Sequence, residues 1–213
     1  MLERLICIAI GYVFGLFQTG YIYGKIKHID IREHGSGNAG ATNTLRTLGW
    51  KAALITFLGD CLKCVLAILL VKLLFRNGQV PVSLLGMYAG LGAVLGHNYP
   101  FYLNFKGGKG IASTGGIILA MNPIMVIISL ALFGTIVGVT KYVSLGSIVL
   151  MVSFVIQVIV YGQMGGFGIA GAPLYELYGI AIFLMLLAII RHRQNIVRLI
   201  NGTENKIGQK EKK

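Results

Sequence analysis

Seven apolar runs, at residues 5–24, 52–75, 82–96, 111–121, 123–139, 143–161 and 172–190, leave this chain few ways to fold. Most are long enough for a helix to cross a hydrocarbon layer of about 30 Å, which takes roughly 20 residues. The long runs lack the polar–apolar alternation of barrel strands. With 55% hydrophobic and only 12% charged residues, the chain is expected to be an all-α integral membrane protein, one domain over residues 1–213. The shortest run, 111–121, leaves three readings open. It crosses, it re-enters, or it fuses through Asn122-Pro123 into one long kinked helix.

Charge decides between six crossings and seven. With seven, residues 25–51, 106–109, 141 and 191–213 share one side, which then holds fifteen of the nineteen Lys and Arg residues. Six crossings would put the basic tail outside, against the positive-inside rule. Seven transmembrane helices, with the N-terminus outside and the C-terminus cytoplasmic, is therefore the expected topology. The same basic flanks explain the net charge of +12 through orientation and attraction to anionic membrane lipid, with no nucleic-acid partner. The first run follows Glu3 and Arg4 and lacks a small-x-small cleavage signal, so it reads as a retained anchor.

Polar residues are concentrated in three clusters, all on the expected cytoplasmic side. The first is GSGNAGATNTLR, Gly35–Arg46. Its glycines, Gly37 among them, permit close backbone approach to a ligand. Ser36, Asn38, Thr42 and Asn43 supply neutral hydrogen-bonding groups, and Arg46 a forked cation suited to phosphate. The second cluster contains Lys106, Gly107, Gly108, Lys109 and Gly110 directly before the run at Ile111. Successive glycine N–H groups and a helix N-terminus form an anion-binding design. The spacing is not that of a P-loop. In the third cluster, RHRQN, His192 and Asn195 fall on one face of a continuing helix. Ser144, at the start of another run on the same side, adds a hydroxyl.

Other features read as structural. Cys7, Cys61 and Cys64 lie within apolar runs and are expected to pack without a disulfide. Asp60 and Lys63, spaced i, i+3, are expected to pair inside a helix, as a lock or as part of a polar cavity. His97 lacks the carboxylate five positions on that glycerolipid acyltransferases with a His-x-x-x-x-Asp pair carry, since Tyr102 stands there. It is expected to begin an interfacial turn with Asn98 and Pro100. Gly162–Gly171 reads as an outer loop without chemistry. No metal-ligand constellation is present, so neither metal nor cofactor is expected.

GSGNAGATNTLR, GHNYP with FKGGKGIAS, and RHRQNIVRLINGTE, in this order within a seven-helix chain, resemble the bacterial acyl-phosphate-dependent glycerol-3-phosphate acyltransferases, the PlsY family. The resemblance implies transfer of an acyl chain from acyl phosphate to the 1-hydroxyl of sn-glycerol 3-phosphate. The products would be 1-acylglycerol 3-phosphate (lysophosphatidate) and inorganic phosphate, at the first step of phospholipid synthesis. It also implies a bacterial cell membrane, with the active site at the cytoplasmic face. An acyl-phosphate-forming enzyme would act upstream and a 1-acylglycerol-3-phosphate acyltransferase downstream. By the same resemblance Ser36 and Arg46 are needed for activity, Lys106–Gly110 bind glycerol 3-phosphate, His192 and Asn195 belong to the active site, and Glu204 maintains structure. The rival readings are a membrane transporter of phosphorylated anions, whose site would lie near the bilayer midplane, and a lipid-binding scaffold.

Overall fold

The computed structural model describes residues 1–208; Lys210, Lys212 and Lys213 of the basic tail lie outside the described residues. Among the described residues ten α-helices follow in order. They are α1 (Leu2–Gly15), α2 (Thr19–Ile26), α3 (Ala41–Leu48), α4 (Trp50–Leu74), α5 (Val82–Asn98), α6 (Ile111–Met121), α7 (Pro123–Thr140), α8 (Val143–Gln163), α9 (Ala172–Arg191) and α10 (Arg193–Ile200). Five segments are long and apolar enough to cross a membrane: Leu2–Ile26, α4, α7, α8 and α9. The other two expected spans are shorter helices, α5 with 17 residues and α6 with 11.

The centre of the bundle is α5. It is enclosed by α1, α4, α6 and α9, and most of its residues are buried. Small residues make this possible. A Cβ on Gly11 would come within 2.0 Å of the Ala89 carbonyl oxygen, and one on Gly92 within 2.1 Å of that of Ile8. Gly15 and Gly96 repeat the contact one turn on, so α1 and α5 meet through a reciprocal small-xxx-small seam. Outward-facing Leu, Ile and Phe side chains cover the other faces of the helices, as a lipid-facing surface requires. At the end of the bundle near the N-terminus, Arg4 makes a forked pair with Glu176, which also accepts from Tyr88.

Two sequence expectations need correction, and one reading left open is decided. The run 5–24 is not one helix, because it breaks at residues 16–18. Breaking the ladder frees carbonyls that apolar surroundings cannot satisfy. Gln18 supplies the remedy: its Nε2 donates to the carbonyls of Gly15, Gly96 and His97, while Lys63 Nζ takes the Phe17 carbonyl at 2.7 Å. Second, 111–121 does not fuse with the next run. Asn122 caps α7 by accepting from the Ile124 N–H at 2.7 Å, and Pro123 occupies the first helical position. Third, the first polar cluster is not wholly loop, since α3 forms inside it and packs along α4.

Candidate functional site

All three polar clusters open onto one cavity of about 430 Å³ at the end of the bundle opposite the Arg4–Glu176 pair. From the first cluster, Ser36, Asn38, Thr42, Asn43 and Arg46 line it. Thr42 and Arg46 sit four apart on α3 and so face it together. Asn43 is the hinge of this segment. It is 1% exposed, its Nδ2 donates to the carbonyls of Ile31 and His34, and its Oδ1 accepts from the Ser36 N–H at 2.7 Å and the Ser36 hydroxyl at 3.2 Å. Its polar atoms are thus committed to shaping the loop. Asn38 likewise accepts from the Gly40 N–H in a local turn.

The second cluster divides. Lys109 and Gly110 line the cavity, as do Ile111 and Ala112, so the N-terminus of α6 faces it. Gly107 and Gly108 lie behind, and the expected nest of free N–H groups is absent there. Gly107 N–H donates to the Asn98 carbonyl at 3.2 Å and Gly108 N–H to that of His97 at 3.0 Å. These glycines serve close packing instead, since a Cβ on Gly108 would fall 2.0 Å from His97 Nε2. Arg191 holds the loop from the other side, donating to the carbonyls of Gly107 and Gly108. Lys106 is exposed and does not line the cavity. Gly37, at a φ of +70°, turns the first loop without lining the cavity.

From the third cluster, His192 and Asn195 both face the cavity, although α9 ends at Arg191 and α10 begins only after His192. Glu204 ties the clusters together. Its Oε1 accepts from Ser144 Oγ at 3.1 Å and Asn195 Nδ2 at 2.7 Å, and its Oε2 from Arg198 Nε at 2.8 Å. Asn195 Oδ1 in turn accepts from Lys109 Nζ. The chain beyond α10 is pinned where the Ile207 N–H donates to the Lys141 carbonyl. Apolar side chains complete the wall, with Leu54 and Phe57 from α4 and Phe133 and Val137 from α7.

Electrostatics follow from this enclosure. Burial, reinforced by the nearby Lys109 ammonium, lowers the His192 imidazole to about 4. Its Nδ1 lies 2.8 Å from the Ala188 carbonyl, so the neutral ring donates there and leaves Nε2 as an acceptor. Burial also lowers Lys109 to about 8; Arg198, Arg191 and Arg46 push the same way, and Glu204 opposes them.

Sequence reasoning left Asp60 open between a lock and a polar cavity, and it misplaced His97. Asp60 and His97 line the cavity, and His97 is 2% exposed instead of starting an interfacial turn. Its Nδ1 lies 2.8 Å from Lys63 Nζ, which pairs with Asp60 Oδ1 at 2.9 Å as the i, i+3 spacing predicts. Arg191 was visible only as one cation among several.

In sequence and in overall fold the chain is similar to known proteins. The family model for glycerol-3-phosphate acyltransferase matches residues 5–202. The chain belongs to this family. A glycerol-3-phosphate acyltransferase of Clostridioides difficile (strain 630) is 44% identical over 208 residues, covering 97% of this chain and 96% of its own. One from Alkaliphilus metalliredigens (strain QYMF) is 45% identical, covering 97% of each. Crystal structures of PlsY (YgiH), an integral membrane glycerol 3-phosphate acyltransferase, superpose across 96% of this chain. Its glycerol 3-phosphate form gives a TM-score of 0.82 at 33% identity and its lysophosphatidic acid form 0.80 at 32%, covering 96% and 95% of the PlsY chain.

Proposed function

We propose that the chain transfers an acyl group from acyl phosphate to the 1-hydroxyl of sn-glycerol 3-phosphate, releasing 1-acylglycerol 3-phosphate and inorganic phosphate. The observation carrying this reading is a single cavity lined both by cations and a helix N-terminus and by apolar side chains. Both substrates carry phosphate, and one carries a long apolar chain. Arg46, Lys109 and the start of α6 are the phosphate-binding groups. The wall of Leu54, Phe57, Phe133 and Val137 takes the acyl chain. Ser144 and Asn195, both bonded to Glu204, keep the Lys109 side of the site in register.

The transfer needs no covalent enzyme intermediate, because acyl phosphate already has a good leaving group. The glycerol oxygen forms a bond to the acyl carbon while the bond from that carbon to the phosphate oxygen breaks. Ser36 Oγ donates to the Asn43 side chain and, among the described residues, to no imidazole or carboxylate, which fits a binding role. A histidine held near 4 is a weak base, so a substrate phosphate oxygen takes the hydroxyl proton and His192 Nε2 orients the acceptor. His192→Asn is accordingly expected to lower kcat less than about 100-fold, by a constant factor between about pH 6 and 9. A steady-state pH profile of the variant checks this; loss to background at every pH contradicts it.

In this reading the chain has seven membrane segments with the N-terminus outside, and the cavity opens at the cytoplasmic face of the bacterial cell membrane. The distribution of Lys and Arg supports this orientation. Upstream, a reaction forming acyl phosphate supplies the donor; downstream, a second acyltransferase acylates the product. The test is an assay of detergent-purified protein with glycerol 3-phosphate and, in parallel, palmitoyl phosphate, palmitoyl-CoA and palmitoyl-acyl carrier protein. Lysophosphatidate from palmitoyl phosphate alone is the expected result. No product from any donor, with glycerol 3-phosphate flux in liposomes, makes the protein a transporter.

A further inference from the structure

One cavity group has no part in the transfer as described, and it is a carboxylate. Asp60 lies on the face of α4 that also presents Ala53 and Phe57, at i, i+4 and i+7. It is 1% exposed, yet it lines the cavity. Its Oδ1 is saturated, with Lys63 Nζ at 2.9 Å, Thr19 Oγ1 at 3.2 Å and His97 Nδ1 at 3.6 Å. Among the described residues Oδ2 takes no hydrogen bond. The support is rigid, because Lys63 is held by the Phe17 carbonyl and by His97, and the far edge of the His97 ring packs under Gly108. Asp60 therefore sits one imidazole away from the glycine loop that carries Lys109.

A carboxylate oxygen on a cavity-lining residue that takes no hydrogen bond from the protein is open to a donor on a ligand. Phosphate cannot serve, since it is an anion and an acceptor. In glycerol 3-phosphate the donors are the two hydroxyls. Glu204, the other carboxylate at the cavity, already has both oxygens occupied by Ser144, Asn195 and Arg198. The 1-hydroxyl is consumed in the transfer and must lie against the acyl carbon, which leaves the 2-hydroxyl for a fixed acceptor. We propose that Asp60 Oδ2 accepts a hydrogen bond from the 2-hydroxyl of the acceptor, so that Asp60 selects a vicinal-diol phosphate over a mono-hydroxyalkyl phosphate. This rests on the reading of the acceptor as glycerol 3-phosphate. Lys63, Thr19 and His97 are the positioning residues that aim the carboxylate.

The experiment compares two acceptors on the full chain, sn-glycerol 3-phosphate and 3-hydroxypropyl phosphate, which lacks only the 2-hydroxyl. Wild-type kcat/KM is expected to favour glycerol 3-phosphate by at least about 100-fold, since a site built to bond a hydroxyl rejects the analogue lacking it. Asp60→Asn is expected to narrow that ratio to less than about tenfold. Because this variant leaves Lys63 without its partner, the charge-neutral double variant D60N/K63M is measured beside it, with thermal unfolding as a check on folding. Equal use of the two acceptors by the wild type overturns the inference and leaves the acyltransferase reading intact. Folded variants that keep the wild-type ratio also overturn it. Failure of the wild type to use either acceptor removes the functional reading itself. If neither variant folds, the wild-type ratio decides.

Discussion

Lys109→Met is expected to lower kcat/KM for glycerol 3-phosphate by about 1,000-fold, the scale on which a preorganised charged donor at a reacting anion contributes. Lys109 is the one ammonium of the glycine-rich segment that reaches the cavity. It is aimed by a chain of hydrogen bonds through Asn195 to Glu204. Removing the charge leaves the fold intact, because methionine fills a similar volume and no buried ion pair is broken. The pH profile supplies a second signature. Lys109 is lowered to about 8, so its ammonium is lost as pH rises through that value and wild-type kcat/KM should fall on the alkaline side. Arginine at this position keeps its charge, so K109R should lose the alkaline limb even if its altered geometry lowers the maximum. A K109M enzyme with wild-type kinetics, or an unchanged limb in K109R, contradicts the assignment.

Glu204→Ala carries the largest expected cost to the fold. The carboxylate is buried and accepts from three residues on α8 and α10. Its loss leaves Ser144, Asn195 and Arg198 without their acceptor, at a cost of about 3 kcal/mol. Thermal unfolding in detergent checks this, and an unfolding temperature equal to wild type contradicts it. Glu204→Gln separates charge from shape. The amide keeps an acceptor oxygen, so much of the stability should remain. The charge that raises Lys109 is gone, however, and the alkaline limb should move below pH 8. A role confined to packing would not move that limb.

The helices were legible because continuous apolar runs leave little choice once a membrane is the solvent. From α4 to α9 every helix end falls within two residues of the run that predicts it. The break at 16–18 was not legible, since Gln18 in an apolar run looks like one tolerated polar residue. Its partners, the carbonyls of Gly96 and His97, are about 80 residues away. Helix α3 went unread for a different reason: its Thr and Asn residues are poor helix formers, and packing along α4 overrides their propensity. The glycine seam between α1 and α5 carried a readable signal, the paired spacings Gly11–Gly15 and Gly92–Gly96.

The site shows the same division. Clusters rich in Gly, Asn, Lys and His marked the segments that meet at the cavity, and their convergence followed from placing them on one side. Spacing could not tell Lys106 from Lys109, since both flank the same glycines. The left-handed turn at Asn104 and Phe105 leads into the loop that turns only Lys109 toward the cavity. Asn43 looked like a ligand group because Asn is common in binding loops, yet its partners are backbone atoms of the preceding loop and the Ser36 hydroxyl. The meeting of His97 with Asp60 and Lys63 joins α5 to α4, and no local pattern encodes it.

The central claim is that the clusters act by positioning two substrates for direct transfer, with no acyl group passing through the protein. The most direct measurement incubates the purified protein with palmitoyl phosphate and radiolabelled inorganic phosphate, leaving out glycerol 3-phosphate. Direct transfer predicts no label entering palmitoyl phosphate and, once the acceptor is added, lysophosphatidate and phosphate in equal amounts. Label exchange without acceptor, together with an acyl group recovered on Ser36, would contradict it.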